Sequence, residues 1–186
     1  MSTKDLMKKT EQKMSKVIEA YRHELSTVRT GRANPGILDG IFVDYYGTPT
    51  PLNQVGNISA PESRLLVIQP WDKSVIGAVE KAIQTSNLGL NPSNDGEVIR
   101  IPIPQLTEER RKELVKLVRK KSEDFKVEIR NIRRSANDDL KKLEKDDSLS
   151  EDTVKATVDD IQELTNTFIG TIDEMTKHKE EAVMEI

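Results

Sequence analysis

The sequence predicts an α+β chain of two domains: a long antiparallel three-helix bundle interrupted by a small inserted α/β domain rich in strands. Three observations carry that expectation. Three segments repeat apolar residues at 4-3 spacing, which places one narrow seam on each helix and suits bundle or coiled-coil packing. All 8 prolines lie between residues 31 and 104, so one central stretch cannot continue a helix. Charged residues make up 33% of the 186-residue chain and aromatics only 4%, which favours aliphatic helix packing over an aromatic sandwich. The bundle is expected to comprise residues 1–30 and 105–186, with 31–104 inserted between its first and second helices.

In the first helix the expected stripe is Met7, Met14, Ile18, Tyr21, Leu25 and Val28, broken at Glu11. Within the insert, Ile41-Phe42-Val43 and the residues after Tyr45-Tyr46-Gly47-Thr48-Pro49 read as strand, turn, strand. Arg64 to Gln69 reads as a further strand, and Ser74 to Ser86 as a short helix with Val75, Ile76, Val79 and Ile83 inward. The turn Asn94-Asp95-Gly96 leads into a strand through Val98-Ile99-Arg100-Ile101. Thr107 is a suitable N-cap for the second long helix, with Glu108 and Glu109 complementing its dipole. Its stripe reads Leu114, Val118, Phe125, Ile129, Ile132, Ala136, Leu140 and Leu143. Ser148 with Glu151 reads as a capping box opening the third helix. That stripe is Val154, Val158, Ile161, Thr165, Phe168, Ile172 and Met175, then Ala182 and Ile186. The short Asp146-Asp147-Ser148 turn makes the second and third helices antiparallel neighbours.

An insertion joined by two linkers has a mechanical consequence. The chain leaves the bundle near Arg29-Thr30-Gly31 and returns through Pro102-Ile103-Pro104, so hinges are expected near 29–32 and 102–105. The expected outline is elongated, hinged and L-like, with the first helix on the order of 40 Å long and the other two roughly 55 Å.

Composition excludes several kinds of chemistry. The chain has no cysteine, hence no thiol nucleophile and no disulfide framework. No apolar run approaches the roughly 20 residues that span a bilayer, and the charged N-terminus lacks a signal-peptide core. A cytoplasmic protein without membrane contact is expected. His23 and His178 are isolated among charged helical residues, where solvated positions are the ordinary outcome. Thr30-Gly31-Arg32 has neither glycine-rich phosphate-loop pattern. Asp159-Asp160 and Glu180-Glu181 are adjacent on a helix and diverge, so they do not make a carboxylate pair. Neither enzyme activity nor a metal or cofactor is expected.

Charge is distributed unevenly. Arg110 to Arg134 carries 11 Lys/Arg against 4 Asp/Glu, while 148–186 carries 3 basic against 10 acidic residues. A formal net charge of −3 therefore hides local charges of +7 and −7. Basic faces attract phosphate backbones and acidic ones repel them, which orients binding. Arg130, Arg133, Arg134 and Asn137 stand at i, i+3, i+4 and i+7 and so share one helical face. Guanidinium groups are permanently charged forks suited to phosphates and guanine edges. The competing reading is that these arginines pair with the acidic third helix and brace the bundle. No aromatic residue is interleaved with them, so contact with folded RNA through backbone and shape fits better than base stacking.

The chain resembles the ribosome recycling factor family over nearly its whole length. The residues carrying the resemblance are Arg29-Thr30-Gly31-Arg32-Ala33, Tyr45 through Leu52 (YYGTPTPL) and Val79-Glu80-Lys81-Ala82-Ile83. Leu88 through Pro92 (LGLNP), Leu106 through Lys112 (LTEERRK) and Arg130-Asn131-Ile132-Arg133-Arg134 complete the set. The resemblance implies a bundle lying on the large ribosomal subunit, across the tRNA sites. It further implies that the protein, with elongation factor G and GTP hydrolysis by that factor, splits the post-termination ribosome. By position, Arg130 and Arg133 match the family's RNA-contacting arginines, and Arg29 and Arg32 are further candidates. Ser135 stands where some members have an acidic residue, which removes a nearby negative charge. A monomer is expected, because the apolar seams are used up within the chain. The alternative is a helical adaptor that binds protein partners through its bundle.

Overall fold

The computed structural model describes residues 1–147 and 149–185 and has the expected α+β architecture. Its elements are α1 (Thr3–Ser26), β1 (Phe42–Tyr45), β2 (Thr48–Pro51), β3 (Gly56–Glu62), β4 (Leu65–Pro70), α2 (Ile76–Gln84), β5 (Ser93–Asn94), β6 (Ile99–Pro102), α3 (Glu108–Asp147) and α4 (Glu151–Met184). They form two compact units, Met1–Leu25 with Val115–Glu181, and Ser26–Leu114 with Ala182–Ile186. Arg29 to Arg32 and Pro102 to Gln105, read from sequence as hinges, all fall within the second unit. There Ala33 N–H donates to Ser63 O (2.6 Å) and Ile103 N–H to Arg64 O (2.8 Å), so both segments are tied to one turn. No helix among the described residues is long and apolar enough to cross a membrane.

The first unit is built from α1, α3 and α4. Helix α1 is capped reciprocally: Asp5 N–H donates to Ser2 Oγ (3.1 Å) and Ser2 N–H donates to Asp5 Oδ2 (3.0 Å). Thr107 caps α3 as expected, accepting from Arg110 N–H at 3.1 Å. Ser148, read as the cap of the last helix, lies outside the described residues, as does Ile186. Helix α4 begins at Glu151, and Ser150 Oγ accepts from Thr153 N–H at 3.2 Å. Leu6 packs with Ala136, Leu140, Leu143 and Ile161, which brings the start of α1 to the end of α3 and the start of α4. Tyr21 lies against Phe125, ring centroids 4.9 Å apart, and is hydrogen-bonded to Thr176. Helix α3 is therefore antiparallel to both α1 and α4.

The seams differ from the apolar stripes in an instructive way. On α1 the buried positions are Leu6 and Thr10 before Met14, not Met7. On α4, Thr157, Thr165 and Thr176 are buried, whereas Val158 is 39% exposed. Each of these threonines satisfies its hydroxyl locally: Thr10 donates to Leu6 O and Thr165 to Ile161 O, both at 2.8 Å. Thr157 and Thr176 donate to the carbonyls of Thr153 and Ile172 in the same way. With its donor paid off within the helix, a threonine packs as a β-branched apolar residue, so a pattern that scores it as polar misplaces the seam. Thr176 already donates to Ile172 O, so in the Tyr21–Thr176 pair the phenol is the donor. Replacing Thr165 by Val is expected to change stability by less than about 1 kcal/mol, since Ile161 O keeps its helical partner. A urea midpoint reporting a loss above about 2 kcal/mol would show that the hydroxyl serves another group.

In the second unit a four-stranded antiparallel sheet of order β3-β4-β6-β5 sits beside the β1–β2 hairpin. Alternation on β4 and β6 turns Leu66, Ile68, Ile99 and Ile101 inward, and the register sets Leu66 opposite Ile101 and Ile68 opposite Ile99. Val79 and Ile83 of α2 join this core. The sequence missed β3, whose residues read GNISAPE and are mostly exposed. It is an edge strand, where Pro61 costs no ladder partner and the irregular register between Ser59 and Glu62 is tolerated. Gly56 begins it because a Cβ there would stand 2.6 Å from Gln69 O. The hairpin turns on Tyr46 (φ 50°) and Gly47 (φ 83°), the pair of positive angles that a two-residue loop of matching twist requires. Within the turn Gly47 N–H donates to Asp44 Oδ1 at 2.8 Å, and the Tyr46 hydroxyl donates to Asp72 Oδ2 at 2.6 Å.

Candidate nucleic-acid interface

Helix α3 brings Arg130, Arg133, Arg134 and Asn137 together on one face of the first unit. The seam residues Ile129 and Ala136, 0% and 3% exposed, fix the helix rotation and leave that face beside the packed side. Arg134 is exposed, and Arg130 and Arg133 are half-buried.

The ion pairs of α3 show which of its cations brace the bundle. Arg119 Nε donates to Glu180 Oε1 at 2.9 Å, and Lys126 Nζ reaches Asp173 Oδ1 at 2.5 Å, so these two cations do brace α4. Lys121 Nζ donates to Glu24 Oε2 of α1 at 2.7 Å. Pairing raises the pKa of both Arg119 and Lys126, in each case chiefly through the hydrogen bond to the carboxylate. Arg119 and Lys121 are thus engaged. By contrast, among the described residues Arg130, Arg133 and Arg134 pair with no carboxylate. Arg133 Nη1 donates to Gln162 Oε1 (3.2 Å), and Gln162 Nε2 in turn donates to Asn166 Oδ1 (2.8 Å). Arg134 Nη1 donates to Asn131 Oδ1 at 3.3 Å. Neutral amides orient these guanidinium groups without cancelling their charge, which leaves them able to meet an anion. No periodicity announces Gln162, because its role arises from the α3–α4 packing.

Asn137 is the least suited of the four to an external phosphate. Its Oδ1 is buried with no hydrogen-bond partner among the described residues, and an acceptor in that state costs about 1–3 kcal/mol until a donor reaches it.

The two remaining candidates lie in the second unit. Arg29 is half-buried, and its Nε has no hydrogen-bond partner among the described residues. Burial first, and the charge of Arg110 second, hold its pKa below the usual arginine range, yet the group remains cationic. Arg32 is exposed and occupied: its Nη2 donates to Glu185 Oε1 at 2.6 Å. The six candidates therefore form one unpaired cluster on α3 and two separate residues of unlike state.

The family model described as "Ribosome recycling factor" matches residues 21–184. The ribosome-recycling factor of Bacillus licheniformis is 58% identical over 186 residues, covering 100% of both chains. A solution structure of the ribosome recycling factor superposes with a TM-score of 0.76 at 40% identity, covering 100% of this chain and 99% of the other. A second structure describes the T. thermophilus ribosome recycling factor and the E. coli elongation factor G bound to the E. coli post-termination complex. It matches with a TM-score of 0.70 and 48% identity over 100% of both chains. With a family model over most of its length, a full-length relative above half identity and two structural neighbours of the same kind, the chain belongs to the ribosome recycling factor family, a family of translation factors rather than enzymes.

Proposed function

We propose that this protein binds the post-termination ribosome through ribosomal RNA of the large subunit and, with elongation factor G and GTP, separates the subunits for reuse. Arg130, Arg133 and Arg134 meet the RNA phosphates in this reading. The observation that carries it is their lack of a carboxylate partner among the described residues, on a helix where Arg119, Lys121 and Lys126 each meet a carboxylate of a neighbouring helix. Family membership and the neighbour bound to a post-termination complex with elongation factor G support the same conclusion. No step requires a cofactor in this chain; its part is binding and positioning.

An adaptor docking on protein through apolar surface would bind with little salt dependence, whereas phosphate contact releases counterions. Co-sedimentation with isolated large subunits at rising salt separates the two. Affinity is expected to fall steadily as salt rises, with a slope of logarithmic affinity against logarithmic salt of roughly −0.7 to −0.9 per phosphate engaged. A flat profile would exclude RNA as the principal contact.

A further inference from the structure

Within the second unit a cavity of about 200 Å³ lies among Arg32, Ser63, Arg64, Gln105, Arg111 and Glu185. Three guanidinium groups against one carboxylate give this wall a net charge of +2. The carboxylate is already committed, because Glu185 Oε1 accepts from Arg32 Nη2 at 2.6 Å. Arg111 Nε is buried and has no hydrogen-bond partner among the described residues. The side chain of Arg64 is exposed and pairs with no acidic group among them either. A buried cationic donor without an acceptor, as at Arg111, is costly to leave unmade, and the exposed Arg64 beside it on one concave wall adds like-charge repulsion that an anion relieves.

We infer that this cavity is an oxyanion site that takes a phosphate group, gripped by Arg111 and Arg64, with Ser63 and Gln105 as neutral donors. The cavity holds several times the roughly 30 Å³ share of one water, so a tetrahedral phosphate fits with water around it. A planar carboxylate presents two oxygens, and Glu185 gives one of them to Arg32. A tetrahedral phosphate offers oxygens in several directions and can engage guanidinium groups from separate segments. Glu185 acts here as a built-in competitor, because it occupies Arg32 and lowers the positive potential of the site. Free phosphate and a phosphodiester of an RNA strand share this chemistry.

The test titrates the full-length protein at low ionic strength by calorimetry and by amide NMR shifts. One arm uses inorganic phosphate, the other a short oligouridylate lacking a terminal phosphate. Saturable binding of either is expected, the first marking a free-phosphate site and the second a backbone site. Arg64→Gln and Arg111→Gln are each expected to weaken it about tenfold or more, the loss of one charge-assisted hydrogen bond. Glu185→Gln is expected to strengthen it several-fold, and Arg119→Ala to leave both arms unchanged, because that guanidinium is committed to Glu180 in the other unit. Arg64 is exposed, so its variant reports on the site even if Arg111→Gln folds poorly. Absence of saturable binding in both arms, or wild-type phosphate affinity in Arg64→Gln, would overturn the assignment.

Discussion

Replacing Arg130, Arg133 and Arg134 together by alanine is expected to weaken binding to the large ribosomal subunit by roughly a hundred- to several-thousand-fold at moderate salt. A hydrogen bond to a charged group contributes about 1.5–3 kcal/mol, and three neighbours on one strand of RNA share part of that gain. The salt slope should also become shallower by about one for each phosphate contact removed. Folding should be nearly untouched. None of the three has a carboxylate partner among the described residues, and the bond lost from Arg133 to Gln162 is exposed. Arg130 lies three and four residues from Arg133 and Arg134, so the substitution also relieves like-charge repulsion along the helix. Circular dichroism and the thermal midpoint check the fold, and co-sedimentation checks binding. Arg119→Ala is the control, because Arg119 is committed to Glu180 and its loss should leave affinity within a few-fold. Wild-type affinity in the triple variant would sink the proposed interface.

Ile161→Ala is expected to destabilise the helical unit by about 2–5 kcal/mol, through lost transfer energy and a cavity that three long helices cannot close. Ile161 is 0% exposed and meets Leu6, Ala136, Leu140 and Leu143, so the vacancy would open where all three helices converge. Val158→Ala, by contrast, should cost within about 0.5 kcal/mol, as surface changes do. The comparison is informative because spacing alone makes Val158 and Ile161 equal members of one stripe. Urea unfolding followed at a helical wavelength measures both. Equal losses at the two positions would mean that the α4 seam runs through Val158 and that Thr157 is not its buried member.

Much of the architecture is legible in the sequence because its causes are local. Helical periodicity, the Thr107 cap and the confinement of proline to the insert each act within a few residues, so α1, α3, α4 and the insert follow from reading the chain. The hairpin at Tyr46-Gly47 and the helix carrying Val79 and Ile83 are legible for the same reason. Strand β3 is not, because its residues are poor strand formers made acceptable only by an edge position. The buried threonines are not, because burial follows from what packs against α4 while their polarity is cancelled within the helix.

The same division runs through the site. Sequence by itself determined the family-like motifs, the helical spans and the grouping of Arg130, Arg133 and Arg134 on one face, since i, i+3 and i+4 neighbours follow from helix geometry. Tertiary structure alone decided which cations are spent. Arg119, Lys121 and Lys126 meet carboxylates on neighbouring helices, Arg32 meets Glu185, and Arg133 meets the amide of Gln162 and no carboxylate among the described residues. It also gathered Arg64 and Arg111, far apart in the chain, around one cavity. The physical reason is that charge count is a property of the chain, whereas the charge left for a partner depends on which groups lie within about 4 Å once the helices have packed.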